Sequence, residues 1–99
     1  MRRVIVRYRV KPESVTENEE LVRAVYAELD ERRPEGMRYA TFRLDDGASF
    51  VHIHESTTAE NPLTEIAAFA EFQKGIRDRC EEAPVVTELT EIGSYRLFD

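Results

Sequence analysis

The chain has no tryptophan, one cysteine, two histidines and four glycines among 99 residues, and each shortage removes a class of protein. One cysteine cannot close an internal disulfide, so a cross-linked secreted scaffold is excluded and a reducing location, the cytoplasm, is expected. No apolar run approaches the length that spans a bilayer, so no membrane partner is expected. Met1-Arg2-Arg3 leads straight into a strand pattern, without the apolar core of a signal peptide. Basic residues are the minority, 14 against 20 acidic, and a net charge of −6 repels phosphate backbones, which sets nucleic acid aside. There is no glycine-rich phosphate loop, CxxC, HExxH or Ser/His/Asp set, which argues against the familiar nucleotide-binding, zinc-protease and hydrolase classes.

What the chain does contain is alternation. Val4, Val6, Tyr8 and Val10 fall on one side of a first strand, about Arg2 to Val10, and Arg3, Ile5, Arg7 and Arg9 on the other. Segments Tyr39 to Leu44 and Phe50 to His54 flank Asp46-Gly47, a hairpin signal. That turn sets Phe42 opposite Val51 and Ala40 opposite Ile53 on one face, and Thr41 opposite His52, Tyr39 opposite His54 and Arg43 opposite Phe50 on the other. The first set is expected to be the platform for helices, and the second to share the uncovered face with Arg7 and Arg9.

Between the strands, a helix runs to about Arg33 with Leu21, Val22, Val25 and Leu29 inward, stopped by Pro34 and Gly36. A second helix starts at Asn61-Pro62 and continues to about Cys80, burying Ile66, Phe69, Phe72, Ile76 and Cys80. A last extended segment, Val85 to Phe98, carries a bend or bulge at Gly93. The order βαββαβ is the ferredoxin-like α+β pattern over a single domain, residues 1–99, with an antiparallel sheet ordered 4-1-3-2.

Both helices cover one sheet face, leaving Ile5, Tyr39, Phe50, Leu89 and Val85 on the other. Covering 400 Å2 of apolar area is worth on the order of 10 kcal/mol against association costs of roughly 4–15 kcal/mol, so a two-fold homodimer closing two sheets into a barrel is expected.

At Val4-Ile5-Val6-Arg7-Tyr8-Arg9-Val10-Lys11-Pro12, Ala40-Thr41-Phe42-Arg43, Phe50 to Glu55 and Phe69-Ala70-Glu71-Phe72-Gln73, the chain resembles the dimeric α+β barrel proteins, and within them the antibiotic biosynthesis monooxygenase-like family. The resemblance covers nearly the whole chain and implies a homodimer with a pocket between sheet and helices in each subunit. Some members of that family oxidise polycyclic aromatic substrates without metal or flavin, others degrade haem, and many have no assigned activity. The haem degraders use a strand-one asparagine, a tryptophan and a helix-two histidine, none of which this chain has.

The expected function is therefore binding of a small aromatic or carbonyl-bearing molecule, with cofactor-independent oxygenation or a related enolisation as the reaction. His52 would be the acid/base, since an imidazole titrates near neutrality. Arg7 would stabilise negative charge, and Tyr39 would orient or protonate the substrate. Thr41, Arg43, Phe50, His54 and Arg9 complete the expected substrate-binding wall. No metal or cofactor is expected. Two other readings stay open. In one, the protein is non-catalytic and its histidines and arginines are paired interface residues, with Glu91 a partner for an arginine. In the other, the two histidines of each copy share a metal. Phe69 and Phe72 either roof an aromatic pocket or are plain core, and Tyr95 and Phe98 are expected to brace a partner subunit.

Overall fold

A computed structural model describes residues 1–97. Its elements are β1 (Arg2–Val10), α1 (Val15–Arg32), β2 (Met37–Arg43), β3 (Ser49–Ser56), α2 (Ala67–Gln73), α3 (Ile76–Arg79) and β4 (Cys80–Glu88), with short 3-10 turns at Pro12–Ser14 and Pro62–Glu65. The four strands form one antiparallel sheet in the order β2-β3-β1-β4, the expected order read from the opposite edge. Among the described residues no helix is long and apolar enough to cross a membrane.

The β2–β3 hairpin has the expected register, with Thr41 opposite His52 and Phe42 opposite Val51. Gly47 takes the left-handed conformation (φ 78°) that the turn requires, and the Asp46 carboxylate accepts from the Ala48 and Ser49 amides. The pairing of β1 with β3 then decides which face is which. Val4 opposes His54, Val6 opposes His52 and Tyr8 opposes Phe50, so the histidines lie on the face of the β1 apolar residues. Arg7 opposes Val51 on one side and Val85 on the other.

This overturns the expected face assignment. Tyr39, Thr41, Phe50, His52 and His54 are turned to the helices, and Ala40, Phe42, Val51 and Ile53 share the uncovered face with Arg7 and Arg9. The physical reason is that strand parity flips with the choice of face, and histidine and tyrosine are buried readily once their polar atoms are paired. The rings also bring more area to the core than the aliphatic alternative: Tyr8 and Phe50 stack with centroids 5.6 Å apart, and both are almost fully buried.

α1 keeps the predicted stripe, with Val22 and Val25 buried and Leu21 and Leu29 packed beside them. It ends where Arg33 turns left-handed (φ 46°) ahead of Pro34, its amide donating to the Leu29 carbonyl at 2.7 Å. The predicted second helix is not continuous. Lys74 is extended and Gly75 is left-handed (φ 79°), which breaks the run into α2 and α3. The break frees two carbonyls, and the Arg79 guanidinium takes both, donating to Phe72 O at 2.7 Å and Lys74 O at 3.2 Å.

β4 starts at Cys80 rather than Val85 and includes Pro84, tolerated because β4 is an edge strand. Its ladder irregularity lies opposite Arg7 to Val10, not at Gly93. Residues 89–97 are not a strand. They leave β4 along the uncovered face, where Leu89 N donates to Arg3 O at 2.9 Å and Arg3 pairs with both Glu55 and Glu91. A hollow of about 650 Å3 lies between Ile53 and Ala40 of the sheet and Leu89, Ile92 and Leu97. Phe98 lies outside the described residues.

Candidate functional site

His52 is the centre of the covered face. Its neighbours follow from strand geometry: on a common face, Thr41 lies directly opposite and Tyr39 and Tyr8 lie diagonally, within reach of long side chains. The Tyr8 hydroxyl is 2.8 Å from His52 Nε2, the Tyr39 hydroxyl 2.6 Å from Nδ1, and Thr41 Oγ1 3.2 Å from Nδ1. Thr41 in turn pairs with the Tyr26 hydroxyl of α1 at 2.7 Å.

Behind Tyr8 the polar chain continues into the helical layer. Asn18 Nδ2 of α1 donates to the Tyr8 oxygen at 2.9 Å, and Arg79 Nε of α3 donates to Asn18 Oδ1 at 3.3 Å. Asn18 is fully buried, and Arg79, Tyr8 and His52 nearly so. The Arg79 guanidinium also lies over the Phe72 ring, 5.4 Å from its centroid. A buried polar atom left unpaired costs about 1–3 kcal/mol, and more when it is charged, so each link in this chain holds its neighbours in place.

Burial keeps the centre uncharged. It pushes the His52 ring down to about 4 and raises Tyr26 to about 12. Tyr39 and Tyr8 are held well above the ordinary phenol range, again by burial. His54 is lowered by burial, with the nearby Arg2 charge acting in the same direction. At neutral pH the site therefore presents neutral imidazoles and intact hydroxyls.

Above this polar floor is a cavity of about 750 Å3 between the sheet and the α2 side. Val6, Tyr39, His52 and His54 line it from the sheet, Leu63, Phe69 and Phe72 from the opposite layer, and the exposed residues Arg2, Thr57 and Thr58 stand at its rim. Phe69 and Phe72 stack with centroids 6.3 Å apart, giving an aromatic wall. His54 Nε2 is a buried nitrogen with no hydrogen-bond partner among the described residues. The volume and the mixture of apolar walls with a few convergent polar groups are those of a small-molecule site.

The expected site residues separate into two groups. His52, Tyr39 and His54 are gathered at the cavity, and Thr41 is hydrogen-bonded to His52 one step behind it. Phe50 is core, stacked on Tyr8, and does not line the cavity. Arg43 points to the covered side but sits at the exposed sheet edge, paired with Glu19 of α1 at 2.6 Å. Arg9 is on the uncovered face, paired with Glu81 at 3.2 Å. Arg7 is on that face too, with the thickness of the sheet between it and His52, so the expected Arg7–His52 pairing does not form. His52 itself lines the cavity but has both ring nitrogens engaged inside the protein, so its hydrogen bonding reaches a ligand through Tyr39.

Four members of the network were not singled out from sequence: Asn18, Arg79, Tyr8 and Tyr26. Asn18 does carry a signal, because it precedes Leu21, Val22, Val25 and Leu29 at helical spacing and so occupies an inward position with a polar residue. Arg79 has none, since its role depends on the helix break at Gly75.

No protein-family model matches the chain, and no curated protein sequence does. Solved structures do. Rv0793 from Mycobacterium tuberculosis superposes with a TM-score of 0.74 at 18% identity, over 94% of this chain and 96% of that one. A structure described as an antibiotic biosynthesis monooxygenase gives 0.70 at 20% identity, covering 94% of this chain and all of that one. A variant of SnoaB, a cofactor-independent oxygenase from Streptomyces nogalater, gives 0.69 at 17% identity, with 97% of each chain covered. These likenesses establish a shared fold across nearly the full length.

Proposed function

We propose that the cavity beneath the helices binds a small, flat, aromatic or carbonyl-bearing molecule, and that the protein is a cofactor-independent monooxygenase of the antibiotic biosynthesis monooxygenase kind. The observation that carries this reading is a neutral, hydrogen-bonded His52–Tyr39 pair at the floor of an aromatic-walled cavity of about 750 Å3. The fold shared with SnoaB and with the antibiotic biosynthesis monooxygenase supports the reaction class. A cavity of that size also speaks for a ligand-binding protein over one whose polar residues serve only an interface.

Tyr39 is the group that touches substrate, with His52 holding its hydroxyl from behind. When a ketone with an acidic α-hydrogen gives that proton to solvent, negative charge gathers on its oxygen, and a pre-placed hydroxyl donor stabilises that charge. His54 completes the wall beside Tyr39, the two rings meeting edge to face at 5.9 Å.

A second copy of the chain is proposed to cover the other sheet face. Phe42 and Val85 are 49% and 63% exposed there, beside Ile5, Val51 and Ile53, and Ile92 of the following segment is 95% exposed. An apolar face of this extent, with the tail lying beside it, suits a two-fold partner. A lone cysteine, half-buried and with its thiol shifted up by burial, fits a reducing cytoplasm.

The test is oxidation of anthrone in air by metal-free protein. One anthrone and one dioxygen give one anthraquinone and one water. Oxygen uptake above the uncatalysed rate, falling about a hundredfold in kcat in Tyr39→Phe, is expected. Binding of anthrone without turnover would leave a binding protein, and absence of both would refute the reading.

A further inference from the structure

We infer that the buried chain Arg79–Asn18–Tyr8–His52–Tyr39 is wired in one direction, so that Tyr39 offers its hydroxyl hydrogen to the cavity and the site selects ligands with a neutral oxygen acceptor. The inference deepens the proposed function and rests on the same cavity, but its first link is fixed by chemistry alone. A guanidinium only donates, so the Asn18 atom beside Arg79 Nε is the oxygen. Asn18 therefore turns its amide nitrogen to Tyr8 and donates to the phenol oxygen.

With that oxygen accepting, the Tyr8 hydrogen needs an acceptor. The one hydrogen-bonded to it among the described residues is His52 Nε2, at 2.8 Å. Nε2 must then be bare, and the neutral ring carries its proton on Nδ1. Nδ1–H donates to the Tyr39 oxygen at 2.6 Å, with Thr41 Oγ1 a longer second acceptor at 3.2 Å. The Tyr39 hydrogen is left over, and Tyr39 lines the cavity. The reverse wiring would put Nε2–H against Tyr8 and strand the Tyr8 hydrogen at a residue only 2% exposed. The reverse thus leaves an unpaired donor in the core, whereas the wiring inferred here leaves its spare donor where a ligand enters.

Ligand chemistry follows. A ketone or quinone oxygen completes the chain. A carboxylate would enter a dry floor of neutral groups, with the Arg79 charge shielded behind Asn18. Asn18 and Arg79 are positioning residues, since they act on the ligand only through Tyr8, His52 and Tyr39.

Two measurements decide this. In the His54→Gln protein, which retains His52 alone, 15N NMR at neutral pH is expected to show Nδ1 protonated and Nε2 bare, the minority form of a free imidazole. Tyr8→Phe, added to that background, is expected to return the ring toward Nε2–H. A protonated Nε2 with Tyr8 present would overturn the wiring, whether or not any ligand binds. For the ligand end, 9-fluorenone is compared with fluorene, which has the same shape without the oxygen. Fluorenone is expected to bind about tenfold more tightly, with its carbonyl stretch lowered, and both differences are expected to vanish in Tyr39→Phe. Fluorenone bound with an unshifted stretch would overturn the Tyr39 donor. Failure of both compounds to bind would instead count against the cavity as a ligand site.

Discussion

The two faces of this sheet differ in an unexpected direction. The covered face holds both histidines, two tyrosines and a threonine, and the uncovered face holds Ile5, Ala40, Phe42, Val51 and Ile53 among its arginines. Counting polar residues assigns them the wrong way round. The covered side is stable because its polar atoms answer one another: Tyr8 and Tyr39 bracket His52, and Asn18 and Arg79 answer Tyr8 from the helices. The uncovered side is simpler and greasier, and its arginines reach outward to Glu55, Glu81 and Glu91. A polar residue is therefore a poor marker of exposure when its partners lie on the adjacent strands.

Four experiments set the faces against each other, in order of expected size. Phe50→Ala on the covered face should cost about 4 kcal/mol in urea unfolding, and Phe42→Ala, half exposed on the other, less than about 1 kcal/mol in the monomer. Equal losses would erase the distinction. Asn18→Ala strips partners from both Arg79 and Tyr8, for about 3 kcal/mol, whereas Arg7→Ala should stay within about 0.5 kcal/mol.

Third, acid should act on the covered face. His52 is held near 4 in the folded protein against an ordinary 6.5, so the unfolded chain takes up the proton first as pH falls. Above about pH 6.5 the ring is neutral in both states and carries no penalty; stability is lost on the way down to about pH 4, for about 3 kcal/mol in all. Urea titrations across this window should show a shallower slope in His52→Gln; an unchanged slope would mean that the ring is already charged or exposed in the fold. The smallest effect on folding belongs to the uncovered face. Val85→Asp should change monomer stability by no more than about 0.5 kcal/mol, yet halve the mass seen in sedimentation if a second copy covers that face. A single-copy mass for the unaltered protein would remove the dimer.

The parts of the molecule legible in sequence were those set by local periodicity. Strand alternation, the Asp46-Gly47 hairpin register and the Val22–Val25 helical stripe all hold, and with them the ferredoxin-like topology. The face assignment was not legible, because both sets of hairpin residues could pass for a core side and the deciding contacts, Tyr8 on Phe50 and Tyr8 on His52, join distant segments. The second helix is expected to run unbroken to about Cys80, but Gly75 is a left-handed break, and β4 starts at Cys80. Of the site, His52, His54 and Tyr39 were picked out by residue type, whereas Arg7 was brought in only through the mistaken face.

The central claim is that the histidine-bearing face is the sheltered one. NMR titration of the His52 ring protons tests it most directly. A ring that stays neutral through pH 6 and titrates near 4 is the predicted result, and a midpoint close to 6.5, the behaviour of an imidazole in water, would contradict it.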